Sequence, residues 1–265
     1  MSFLRHISRC ISLGAAVLFL CVSALDAVAS ESPSAQMEKL LKEHPELILD
    51  VLKEHSEEVL DIVQKGSDRR RRQALLSQWE SDIKIPKNVA LDGRPVGGTA
   101  DAPVTIIAFS DFVCAYCHQA AFTLGNLMKR YPGKIRLIFK QVPKDDAGRT
   151  AGFWFLAAYN QDKAKAWKLY ALAFDRQQEV EADAADAMRR IAQEVGLDVA
   201  KLENSLKTDS NKWASILDGD AADARALGFV GTPYFLVNNM VLRGALPMEN
   251  FVDAVEMALK QKAAR

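Results

Sequence analysis

The chain has 265 residues, 49% of them hydrophobic and 26% charged, which suits one substantial folded domain plus an accessory piece and excludes a disordered chain. Lys+Arg and Asp+Glu each number 34, so the formal net charge is zero and no global field would hold the protein to nucleic acid or acidic lipid.

At the N-terminus, Arg5, His6 and Arg9 precede an uncharged apolar run from Cys10 to Leu25, and Ala27-Val28-Ala29 stands before Ser30. This is the layout of a secretory signal peptide with an A-x-A cleavage site, so residues 1–29 are expected to be removed on export. The run is short for a membrane span, and polar, acidic sequence follows it at once. Cleavage takes Cys10 and Cys21 with it, leaving Cys114 and Cys117 in a single C-x-x-C. A pair so close in sequence closes a very small loop and gains little loop-closure stability, so its purpose is chemical rather than structural.

Residues 30–85 read as an N-terminal helical region. Met37, Leu40, Leu41, Leu47, Ile48, Val51, Leu52, Val59, Ile62 and Val63 fall at three- and four-residue spacings over 34–64. Lys42-Glu43-His44 repeats as Lys53-Glu54-His55, and the similarity continues through Leu52 and Val63, a period of eleven residues that favours straight or slightly right-handed helix association. Pro45 predicts a break at His44 and a new helix to about Lys65, ended by Gly66-Ser67. Such short amphipathic helices bury too little to stand alone, which points to homo-oligomerisation through residues 34–64. His44 and His55, repeated in register, are expected at a helical interface, the reading favoured over metal binding. Arg69 to Arg72 open a further helical stretch reaching Trp79 and Ile83, with the arginines on a solvated face.

Residues 86–265 read as the main domain, and its first segment, as far as Pro103, is rich in turn signals. Val104 to Phe109 fits a buried strand, followed by Ser110-Asp111 and a helix from Cys114 to Arg130, then a second strand from Ile135 to Val142. From about 147 to 227 the chain is almost wholly helix-like. Tyr234 to Val237 and Val241 to Gly244 form a hairpin around Asn238-Asn239, and a helix closes the chain from Pro247 to about Lys262. The pattern is α/β: β-α-β, a helical insertion, then β-β-α.

A thiol attacks a disulfide only as thiolate, and Cys114 sits at a helix N-terminus, where the dipole and unpaired N–H groups stabilise that anion. Cys117, one turn on, is placed to resolve the mixed disulfide. Other readings of the motif are weaker. Cys114 to His118 is formally a C-x-x-C-H haem-attachment motif, but a buried strand runs straight into it. Zinc wants four ligands, and no second Cys/His pair exists. Copper(I) needs fewer ligands and remains as a non-enzymatic alternative. The residues point to no cofactor and no resident metal site.

The strand leading to Phe109-Ser110-Asp111-Phe112-Val113-Cys114-Ala115-Tyr116-Cys117, the helical insertion and Gly231-Thr232-Pro233-Tyr234-Phe235 together resemble the DsbA-like branch of the thioredoxin superfamily, over roughly residues 89–262. That resemblance implies a thioredoxin-like domain in which Cys114 and Cys117 form the redox-active disulfide. It also implies a cis Pro233 facing them, with Thr232 and Tyr116 in substrate binding. The helical N-terminal region resembles that of the ScsC (suppressor of copper sensitivity C) proteins, which implies an oligomeric isomerase or reductase linked to copper tolerance. Ala115-Tyr116 departs from the Pro-His and Pro-Tyr dipeptides usual in these groups, whereas tyrosine before the second cysteine and threonine before the cis proline look like the isomerase DsbC. Of the supporting residues, His118 reads first as a surface-exposed histidine, with a modest electrostatic aid to the thiolate as its functional alternative, and Asp111 is expected either to cap the helix, the favoured role, or to move protons. The partners implied are exported proteins with cysteines and a membrane redox partner; the compartment implied is the periplasm.

Overall fold

The computed structural model describes residues 32–263, so the signal-peptide segment 1–29 lies outside the described residues. The chain divides into two compact units, one up to Arg69 and one from Arg70.

In the first unit, helix α1 spans Pro33–Glu43, α2 Pro45–Glu54, and α3 begins at Ser56 and runs to Asp82. Ser32 caps α1 through its hydroxyl, and Pro45 opens α2 where its missing N–H costs nothing. The break at His44 is as Pro45 predicts. A second break falls at His55, and Gly66-Ser67 do not end a helix: α3 passes through them. Glycine inside a helix costs only about 1 kcal/mol against alanine, which the long-chain residues on either side of it in α3 offset. No residue of α1 or α2 is buried, and Met37, Leu47, Ile48, Leu52, Ile62 and Val63 stand in solvent in the single chain.

The second unit is built on a five-stranded sheet of order β1-β3-β2-β4-β5, with β1 Val96–Gly98, β2 Val104–Ser110, β3 Ile135–Gln141, β4 Tyr234–Val237 and β5 Met240–Arg243. Strands β2 and β3 are parallel, joined by helix α4, Ala115–Arg130, and every other pairing is antiparallel. Six helices fill the insertion: α5 Asp146–Gln161, α6 Lys163–Asp175, α7 Gln177–Ala182, α8 Ala184–Glu194, α9 Val199–Thr208 and α10 Ser210–Ala226. Helix α11, Met248–Ala263, closes the unit. This is the α/β sandwich with a helical insertion that the sequence pattern implied.

Strand β1 is an addition to that pattern. It is a three-residue edge in a turn-rich segment, and Gly97 is there because a Cβ would lie 2.8 Å from the Trp167 ring of α6. The opposite edge, β5, is covered by the end of α3. Fully buried Trp79 donates its indole N–H to the Val241 carbonyl at 2.9 Å, and Asp82 accepts the Val241 N–H at 3.0 Å, so the backbone of the edge strand is satisfied by side chains. The arginine run is not wholly solvated, since Arg72 makes a two-pronged ion pair with Asp253 of α11.

Within the core a charged cluster is fully paired. Lys140, near the C-terminal end of β3, lies 2.7 Å from Asp220 and 2.8 Å from Asp223 of α10, and donates to the Ala90 carbonyl at 2.7 Å. Asp220 also receives Arg94 Nε and the Gln141 N–H. The buried ammonium thus meets three acceptors, which is what makes its burial tolerable.

Candidate active site

Strand β2 delivers the chain to Ser110-Asp111, and the next residue fixes where it goes. The buried Phe112 ring sits among Phe139, Phe155, Tyr170 and Phe174, with centroids 4.9–5.9 Å away, so the insertion holds the segment that enters the C-x-x-C. Cys114 follows as the N-cap of α4, with φ −93° and ψ 119°, and no side chain caps the helix; the Tyr116 and Cys117 N–H groups of the first turn act on the sulfur.

Cys114 is partly exposed and Cys117, one turn along, is fully buried; both are free thiols. Cys114 Sγ lies 3.5 Å from the Thr232 carbonyl oxygen. A hydrogen bond from Cys117, outweighing the cost of partial burial, holds the Cys114 thiol down at about 5, with the Thr232 side chain and the N–H groups of Cys117 and Tyr116 acting in the same direction. The same hydrogen bond, together with burial, pushes the Cys117 thiol up. At neutral pH the pair therefore carries one partly exposed thiolate and one buried proton.

Across from the sulfurs, the Thr232-Pro233 bond is cis and Pro233 is buried, as the resemblance implied. Strand β4 begins at the next residue and pairs Tyr234 with Phe109, which puts the loop beside the end of β2. Phe229 stacks on Tyr234 at 4.4 Å and steadies it. Tyr116, 67% exposed and two residues on from Cys114, and Val230, 86% exposed and two residues before Thr232, are open apolar surface. His118 is exposed and borders a cavity of about 330 Å³ between α4 and α6 that Phe122, Gly125, Trp167 and Phe174 help to line.

Asp111 departs from the expected helix cap. Its carboxylate accepts the Val113 N–H at 3.2 Å and the Lys144 N–H at 3.1 Å, tying the β2 turn to the segment after β3, while its own N–H donates to Cys117 Sγ at 3.4 Å. Capping fails because Asp111 lies three residues before the N-cap and its side chain turns inward. Gly148 leaves the room it needs, since a Cβ there would lie 2.3 Å from the carboxylate. Burial raises the Asp111 carboxyl to about 6 against the opposing pull of those N–H groups.

Two contributors had no local signal. Gln177, at the start of α7, donates its amide to the carbonyls of Phe112 and Cys114, and Ser110 contributes a side-chain hydrogen bond to Cys117. Among the described residues no group of three or more His, Cys, Asp and Glu is arranged to hold a metal ion.

A dithiol at a helix N-terminus, facing a Thr-cis-Pro loop across a mixed sheet, defines the thioredoxin class of proteins. The chain belongs to the thioredoxin family, whose model matches residues 91–257. Its fold is that of the DsbA-like proteins with a helical insertion. It is similar to the thiol-disulfide exchange protein alpha-DsbA2 of Wolbachia pipientis, with 21% identity, a TM-score of 0.55, and 72% of this chain and 97% of that one covered. It is also similar to ScsC of Proteus mirabilis in a transitional conformation, with 20% identity, a TM-score of 0.55, and 88% and 99% covered. By sequence it is 30% identical over 197 residues to the Na(+)/H(+) antiporter NhaA 3 of Salinispora tropica, a match that takes in 74% of this chain but only 29% of the antiporter's length. No helix among the described residues is long and apolar enough to cross a membrane.

Proposed function

We propose that this protein is a periplasmic thiol–disulfide oxidoreductase acting on the cysteines of exported proteins. The observation that carries the reading is the partly exposed Cys114 thiolate, titrating near 5, set between a buried protonated Cys117 and the Thr232-Pro233 loop. Attack by the Cys114 thiolate on a substrate disulfide forms the Cys114–substrate bond and expels one substrate sulfur as thiolate. Cys117 then gives up its proton and attacks Cys114 Sγ, which closes the Cys114–Cys117 disulfide and releases the second substrate sulfur. Run backwards, the same steps oxidise a substrate dithiol and leave the protein reduced. Asp111, buried beside Cys117 and titrating near 6, is the group in this scheme that takes up and returns the Cys117 proton.

Insulin reduction and refolding of scrambled ribonuclease by the metal-free protein test the reading. Turnover that disappears in Cys114→Ser, with mixed disulfides accumulating in Cys117→Ser, is the expected result; an inert wild-type protein that binds copper(I) tightly would establish the non-enzymatic copper alternative instead.

The open apolar faces of α1 and α2 favour a more particular version, an oligomeric isomerase or reductase of ScsC type kept reduced by a membrane partner and linked to copper tolerance. Several catalytic domains on one hub present a captured substrate with a second dithiol at high effective concentration, which favours shuffling over simple oxidation.

A further inference from the structure

We propose that Gln177 is a positioning residue for Cys114, the point at which the helical insertion sets the reactivity of the dithiol; this rests on the oxidoreductase reading above. Its side-chain amide lies 2.7 Å from the Phe112 carbonyl oxygen and 3.0 Å from that of Cys114, so one NH₂ group bridges the carbonyls on either side of Val113.

Those two oxygens belong to residues with one residue, Val113, between them at the mouth of α4. Phe112 is buried, so its carbonyl has little access to water and, without Gln177, is left unpaired at a cost. The Cys114 carbonyl already begins the helix by accepting the N–H groups of Cys117 at 2.9 Å and His118 at 3.1 Å. Gln177 is a third donor on that oxygen, from outside the helix, and it holds the peptide plane at the N-cap in its extended setting, ψ 119°. That plane decides where the N–H groups of Tyr116 and Cys117 point. Both aim at Cys114 Sγ and favour its anion. The amide also faces the negative ends of two peptide dipoles close to the thiolate, which would otherwise oppose it.

The bridge spans elements far apart in sequence. Gln177 is the first residue of α7, just after Phe174, whose ring packs on Phe112 at 4.9 Å. The insertion therefore grips the active-site turn twice, once by an apolar contact that a stability measurement reads and once by a polar contact that a titration reads.

Two variants of the full mature chain test the assignment. Gln177→Met keeps the length of the side chain and removes both donors; Gln177→Glu keeps the shape and places an acceptor against the carbonyls. Alkylation of Cys114 across pH, run on folded reduced protein, gives the apparent pKa, and equilibration with glutathione gives the potential. The expected result is a rise of about one unit in Gln177→Met, hence about tenfold less thiolate well below the midpoint, and a larger rise in Gln177→Glu. Both variants should become weaker oxidants. If both titrate like the wild type while melting at lower temperature, Gln177 is a structural brace and the proposal is wrong. If only one variant folds, its titration decides alone. A wild-type Cys114 with an ordinary thiol pKa of about 8.5 would instead sink the underlying reading, so the two failures are separable.

Discussion

At Cys114 the chemistry is set by one sulfur hydrogen-bonding another, and this makes a prediction that distinguishes the neighbours. Cys117→Ala, which removes the largest contribution, should raise the Cys114 titration well above 5, whereas Cys117→Ser, which keeps an O–H donor, should raise it less. Alkylation rates measured from pH 3 to 10 read both. Because the folded thiol titrates below its unfolded value, the thiolate stabilises the reduced protein fully above about 8.5, and that contribution is lost as pH falls through about 5. Asp111 runs the other way. Its folded value, about 6, lies above that of an unfolded aspartate, about 3.9, so the native state prefers the protonated carboxyl. Stability from this group is present below about pH 4, is lost as pH rises through about 6, and the loss amounts to about 3 kcal/mol. Urea unfolding of the reduced wild type and of Asp111→Asn should show wild type favoured more at pH 4 than at pH 7. A constant difference between the two would remove the buried acid. In the same variant, mixed disulfides at Cys114 should persist longer if Asp111 accepts the Cys117 proton.

Among the elements, the end of α3 and strand β3 carry the clearest energetic predictions. Trp79→Phe keeps an aromatic ring but leaves the Val241 carbonyl without its indole donor, and about 1–3 kcal/mol of stability should go with it. Lys140→Met leaves Asp220, buried, with Arg94 and the Gln141 N–H, and leaves the partly exposed Asp223 with the Ala90 N–H but without its cation. Breaking one member of such a buried cluster costs about 3–5 kcal/mol, read as a lowered denaturation midpoint, while Cys114 alkylation in the folded fraction stays unchanged. A midpoint equal to that of wild type would mean that the buried ammonium adds nothing to stability.

For the whole molecule, the exposed apolar residues of α1 and α2 mark the part of the chain whose stability is not accounted for within one copy. Light scattering should find the mature protein oligomeric at micromolar concentration and a variant lacking residues 30–66 monomeric. The truncated protein should keep insulin reduction, lose scrambled-ribonuclease activity and gain oxidase activity. A monomeric mature protein ends the hub idea, and an oligomer whose truncation spares isomerase activity separates assembly from function. Helix α3 runs unbroken through Gly66-Ser67, and the breaks among the N-terminal helices fall at His44 and His55.

Patterns local in sequence were legible at once, because their physics is local. The β-branched run Val104 to Phe109, the C-x-x-C at a helix start, the Asn238-Asn239 hairpin and the Pro45 break depend on neighbours within a few residues, and each stands where the residues placed it. Thr232-Pro233 was legible only through its resemblance to a known motif. Strand β1 was hidden because three residues between prolines and glycines become a strand only when β3 offers them a partner and Trp167 a roof. Asp111 shows the limit most plainly. Its spacing from Cys114 suggested a helix cap, but its role was decided by Lys144 and Gly148, more than thirty residues away, which enclose the carboxylate and raise its titration. Gln177 gave no signal at all, since an ordinary glutamine acquires a role only when the folded insertion brings its amide to two carbonyls sixty-odd residues back in the chain. The sequence by itself determined which residues form the candidate site, because the dithiol, the helix start and the spacing are written in a short stretch. Tertiary structure alone decided which groups tune that chemistry, because burial and hydrogen-bond partners are properties of what lies across a fold.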